Sequence, residues 1–214
     1  MILAVDWVVV SSIVTAAATL VLASATFLSV RSANRAARAA ETSLLAGLRP
    51  LLTQSRLEDA PQKVGFRDDK WFMVPGSGGI AQATDQAVYL AISVRNVGSG
   101  IAVLHGWHMD PDVETGPSDH LPVEDFRRLT RDLYIAPGEI GFWQGVFRDP
   151  AEPEFVAARA SVEEPRRFAI DVLYGDHALG QRSITRFLLT PREEGRWVAS
   201  VARHWNVDRP DPRE

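Results

Sequence analysis

The chain has no cysteine among its 214 residues. That excludes a disulfide scaffold, a cysteine-ligated zinc or iron–sulfur site and thiol catalysis. It has no excess of positive charge: the net charge is −4 and the pI is near 5.8, which argues against a nucleic-acid partner. It has no Gly-x-Ser-x-Gly nucleophile elbow. The glycine-rich stretch Pro75-Gly76-Ser77-Gly78-Gly79 lacks a following Lys-Ser/Thr and precedes a strand, so it is not a phosphate loop. No internal repeat is present. Apolar residues are not scarce. At 46% hydrophobic and 23% charged, the composition excludes wholesale disorder. The length suits one ordinary domain with an appendage.

The appendage comes first. Residues 7–30 are 24 consecutive positions without a charge. As a helix they would measure about 36 Å, enough to cross a hydrocarbon core of about 30 Å with some tilt. A cleaved signal peptide needs a basic leading region and a shorter apolar core. Here Asp6 precedes the run, and the run continues past Ala23-Ser24-Ala25, the only plausible cleavage site. The reading is a retained transmembrane anchor over residues 1–30, with the lipid bilayer as partner of residues 7–30. Arg31, Arg35 and Arg38 follow it, spaced to share one helix face. The positive-inside rule then puts the N-terminus outside and the rest of the chain in the cytoplasm of a cell-membrane protein. The same three arginines are candidate headgroup contacts. Ser12 and Ala16 have the small-xxx-small spacing that pairs membrane helices, although an alanine-rich span produces it without pairing. A juxtamembrane helix is predicted over 31–50, stopped at Pro50. From residue 51 onward there are 19 basic and 25 acidic residues. An acidic domain of this kind is repelled by anionic lipid.

Residues 51–207 read as a β domain. Positions 87–96 alternate apolar and small or polar side chains with period two, the mark of a half-buried strand. A turn over 97–100 leads to a second strand at 101–110, and Asn96 is placed to bond the turn backbone. Further strands are predicted at 52–56, 132–135, 141–147, 167–174, 182–189 and 196–204. Short helices are predicted at 123–129 and 153–163, irregular connections at 59–86 and 111–122, and a flexible tail at 208–214. About seven strands separated by turn signals predict an antiparallel β-sandwich. The sequence leaves open whether 87–96 pairs with 101–110.

The segments VRNVGSGIAVLHGWH, DLYIAPGEIGFWQG, LYGDHALGQRSITRF and RHWNVDRPDP resemble a group of single-pass membrane proteins of actinobacteria. The resemblance covers most of the chain. The Asn-x-Gly-x-Gly turn at 96–100 is similar to turns in bacterial immunoglobulin-like interaction domains. The resemblance implies an anchor and a cytoplasmic immunoglobulin-like domain. It implies no activity, cofactor or catalytic residue.

His105, His108 and Asp110 invite a metal site, with His120 or His177 to complete it. Strict alternation places 105 and 108 on opposite faces and leaves only His108 and Asp110 together. Zinc needs three or four ligands, so no metal or other cofactor is expected; the bland alternative is a hydrogen-bonded His105 and a surface His108. Asp171, Asp176 and His177 are a candidate acid–base group, against the simpler reading that Asp171 pairs with Arg182 or Arg186. Of the tryptophans, Trp71, Trp143 and Trp205 are candidates for a partner surface. The leading expectation is a non-enzymatic interaction module, binding an unidentified protein or a second copy. A metal or small-ligand sensor using His108, Asp110 and His177 is the alternative, and a hydrolase the third.

Overall fold

A computed structural model describes residues 7–113, 119–177 and 180–208, without the side chains of 45 and 46. The tail expected at 208–214 lies outside them from residue 209 on. The chain forms two compact units, residues 1–46 and 47–214.

The first unit is formed by the helix α1, Trp7–Gly47, 41 residues long, whose last residue falls to the second. It runs without interruption from the apolar stretch through the arginine segment, as the alanine-rich composition of 31–47 favours. It is long and apolar enough to cross a membrane. Its apolar side chains, Ile13, Val14, Leu20, Val21, Leu22, Phe27 and Leu28 among them, are exposed. Its hydroxyls bond back to its own backbone: Thr15 to the Ser11 carbonyl, Thr19 to Thr15, Ser24 to Leu20 and Thr26 to Leu22, each at 2.8 Å. A polar group satisfied in this way needs no water.

The second unit is mainly β and antiparallel. Its strands are β1 Leu52–Gln54, β2 Gln62–Gly65, β3 Trp71–Val74, β4 Gly78–Ala83, β5 Val88–Asn96, β6 Ala102–Asp110, β7 Arg127–Ile135, β8 Ile140–Phe147, β9 Phe168–Gly175, β10 Arg182–Pro191 and β11 Trp197–Asn206. The helix α2, Pro153–Glu163, begins with proline in its first turn, where the missing N–H has no partner to lose. Two separate sheets were expected. Instead nine strands form one connected sheet in the order β1-β5-β4-β11-β10-β9-β6-β7, with β8 on the other edge of β5. The sheet curls into a half-barrel.

Its inner face carries the main core. Val88, Leu90, Ile92 and Val94 meet Leu104, Trp107, Trp143, Phe147, Phe168, Ile170, Val172, Phe187 and Leu189 there. The open question about 87–96 and 101–110 is resolved: β5 pairs with β1, β4 and β8, while β6 pairs with β7 and β9.

Three expectations change. The span 59–86 is not irregular but holds β2, β3 and β4. The β2–β3 hairpin packs Val64, Phe66 and Val74 on Ala87, Tyr89 and Ala91. β5 is therefore buried on both faces rather than half-buried, and its outward alanines leave room for that cover. The helix expected at 123–129 is a single 3-10 turn, Val123–Asp125, and the strand β7 starts at Arg127, five residues earlier than predicted.

Asn96 does more than close its turn. Its Oδ1 accepts from Gly98 N (3.0 Å) and Leu51 N (3.2 Å), and its Nδ2 donates to Gly100 O (2.7 Å) and Ile135 O (3.0 Å). The entering chain at 48–51 lies directly against this loop. A Cβ on Gly98 would sit 2.4 Å from Arg49 O, and one on Gly100 1.7 Å from Leu48 O.

Candidate functional site

The outer face of β6, β9 and β10 gathers most of the polar candidates. Strict alternation fails there, because a β-bulge at His105 interrupts the pairing of β6 with both neighbours. Leu104 and Trp107, three residues apart, both face the core. His105 and His108 therefore share the outer face, correcting the opposite-face reading; His108 lies against the Phe126 ring, and His105 lines a hollow with Phe126. Burial, first of all, lowers the pKa of each histidine. His105 Nε2 is buried without a hydrogen-bond partner among the described residues, so it is not the bonded side chain expected. His108 is half-buried rather than a surface residue. Among the described residues no three His, Asp or Glu side chains gather to hold a metal, so His108, Asp110 and His177 do not form one.

The acid–base candidates separate. Asp171 is fully buried and takes two hydrogen bonds from Arg186, Nε and Nη2 each at 2.7 Å. That hydrogen bonding raises the Arg186 pKa. Asp176 Oδ1 accepts from Gly180 N at 2.7 Å and Gln181 N at 3.2 Å, closing the β9–β10 turn. His177 stands exposed on that turn. A buried chain runs from Tyr174 Oη to Thr185 Oγ1 (2.9 Å) and on to His204 Nδ1 (2.8 Å). Thr185 is fully buried, so no substrate reaches its hydroxyl. The Tyr174 hydroxyl accepts from Leu52 N and so ties β1 to the sheet.

Two of the three tryptophans proposed for a partner surface are interior. Trp143 is fully buried, its ring edge-to-face with Trp107 at 5.3 Å. It points inward because β8 places 143, 145 and 147 on the core side. Trp205 is 4% exposed, covered by the Arg186 and Arg203 guanidinium groups at 5.1 and 4.9 Å and by His120. Trp71 remains on the surface at 59% exposure, with Lys63 Nζ 4.7 Å above its ring and Met73 exposed on the same hairpin. Arg31, Arg35 and Arg38 line one face of α1 with Phe27 and Asn34.

A cleft that the sequence did not reveal lies beside Trp71. β7 pairs only with β6 and β8 only with β5 among the described residues. Their other edges face a gap. One hollow of about 170 Å³ lies between Arg128–Arg131 and Gln144–Val146, floored by Trp107. It joins a second of about 260 Å³ walled by Phe66, Arg67 and Trp71. Arg67 donates to Thr130 O and Arg131 to Gly65 O, both at the long distance of 3.5 Å. No carboxylate among the described residues pairs with Arg67, Arg128 or Arg131. Gln144 Oε1, also at the cleft, is buried with no donor. The sequence placed Arg128 in a helix ending at 129 and left Arg131 outside any element, which hid the fact that both line this cleft.

No protein-family model matches the chain, and no curated protein matches it.

Proposed function

We propose that this protein is a membrane-anchored, non-enzymatic interaction module. In this reading α1 crosses the cell membrane once through residues 7–30, with the N-terminus outside. Arg31, Arg35 and Arg38 lie among cytoplasmic headgroups. The β domain, immunoglobulin-like in its interaction role, is held in the cytoplasm and binds another protein or a second copy. The observation that carries the reading is the uncharged stretch at 7–30, continuous in one helix, with hydroxyls bonded to the helix itself. Exposed Trp71 and Met73 on one hairpin support the partner surface. Tethering raises the effective concentration of a co-localised partner, so weak contacts suffice.

The test has two parts. The full chain should stay in the membrane pellet after alkaline carbonate, and a cytoplasm-dependent reporter fused after residue 214 should be active. Release by carbonate, or activity of a periplasm-dependent reporter at that position, overturns the anchor or its orientation. In-membrane crosslinking should then capture the same protein from the full chain and from a chain whose residues 1–50 are replaced by an unrelated anchor. Capture lost with the replacement would put recognition in the helix rather than in the β domain.

A further inference from the structure

We propose that the cleft between β7 and β8 binds an extended acidic peptide segment of a partner protein. The proposal rests on the interaction reading above and specifies the chemistry of the partner. Two strand edges without a β partner border the gap, and apart from Thr130 O, which accepts from Arg67, such edge N–H and C=O groups are the ordinary template for an added strand. Its rim is basic although the domain is acidic overall: Arg67, Arg128 and Arg131 have no carboxylate partner among the described residues, while acidic residues outnumber basic ones 25 to 19 from position 51 onward. Arg67 on the β2–β3 turn faces Arg131 on β7 across the gap, with Arg128 further along β7, so guanidinium groups flank a segment laid in the cleft from two sides and match carboxylates along it. Phe66 and Trp71 supply an apolar wall for side chains of the same segment. Gln144 Oε1 requires a donor that the fold does not provide, and a peptide N–H is one, whereas a phosphate or carboxylate alone is not.

Other anions fit less well. A nucleic acid needs a broad basic surface to neutralise many phosphates, and this one is a narrow cleft. A bilayer is flat, and an anionic one repels the rest of the domain.

The experiment uses the full chain in phosphatidylcholine nanodiscs and a fluorescein-labelled peptide alternating valine and glutamate. Fluorescence anisotropy should show saturable binding that weakens with added salt. Combining Arg128→Glu with Arg131→Glu should weaken it by about tenfold or more. Arg128→Lys should retain most of it, and the thermal midpoint should not move in either variant. A valine–lysine peptide, or the acidic peptide N-methylated on alternate amides, should not bind. Any of four results overturns the proposal: no saturable binding, binding indifferent to charge reversal, equal binding of the lysine peptide, or equal binding of the N-methylated peptide. An oligonucleotide or phosphatidylserine vesicles that displace the acidic peptide from the wild-type chain more strongly than unlabelled peptide does would reassign the cleft. The two readings fail separately. If the crosslinked partner is captured equally by the wild-type chain and the double-reversal variant, the cleft is not its site while the interaction module stands. If no partner is captured by either, the module reading falls whatever the peptide does.

Discussion

Asp171 and Arg186 are cross-strand partners on β9 and β10, and both are nearly or fully enclosed. Each compensates the other's desolvation. Removing one leaves a charge in a medium that cannot solvate it, a loss of about 3–5 kcal/mol, whereas replacing both with apolar groups is far milder. Asp171→Ala should therefore reduce stability by about that amount in urea denaturation followed by circular dichroism. The pair of changes Asp171→Ala with Arg186→Met should recover most of it. A single-variant loss below about 1 kcal/mol would show that water reaches the pair. The partnership of Asp171 with Arg186 was one of two legible in sequence, because an aspartate within an apolar strand requires a cation. Which cation depended on register, and the β9–β10 register places Arg186 opposite Asp171 and Arg182 opposite Gly175.

Among the elements, the crossing from β5 to β6 is held both by hydrogen bonds and by close backbone approach. The loop at 97–100 connects strands that do not pair, and the chain entering at 48–51 packs on it. Asn96 supplies four hydrogen bonds to that junction. With a net value near 1 kcal/mol for each bond, Asn96→Ala should cost about 2–4 kcal/mol by chemical denaturation. Gly100→Ala should cost at least as much, since its Cβ would collide with the Leu48 carbonyl. A Gly100→Ala protein as stable as wild type would mean that the entry segment does not lie against the loop. The sequence marked Asn96 as a turn former. It carried no sign that residues nearly fifty positions earlier would occupy the same space.

For the whole molecule, burial of His105, His108 and His204 has a consequence that can be measured. Burial is the main cause of the lowered pKa of all three. Around His108, Asp171, Asp110 and Glu154 favour the proton, while Arg186 opposes it. In the unfolded chain the rings titrate near the ordinary 6.5, so below that pH the unfolded state takes up protons before the folded one. Stability should be full above about pH 7 and should fall as the pH drops through 6.5 toward the lower folded values. Thermal midpoints across this range should show the decline, and His108→Gln should flatten it. A midpoint independent of pH between 7 and 5 would contradict the burial of these rings.

The amino-acid sequence by itself determined α1 and the two strands β9 and β10 on either side of their loop. In both, the governing signal is local: a run of uncharged residues needs no partner to be long and apolar, and an apolar run bounded by turn residues reads as a strand. It also determined α2, through Pro153 at its start. The tertiary structure alone decided the rest. It made one curled sheet where two were expected, because strand order depends on contacts between distant segments. It buried Trp143 and Trp205 and left Trp71 outside, because exposure depends on what packs above a side chain. It turned His105 to the face of His108 through a bulge that no residue type announces. It brought Arg67 across to Thr130 and Arg131, since a rim is formed only when the β2–β3 hairpin folds over the sheet beside β7.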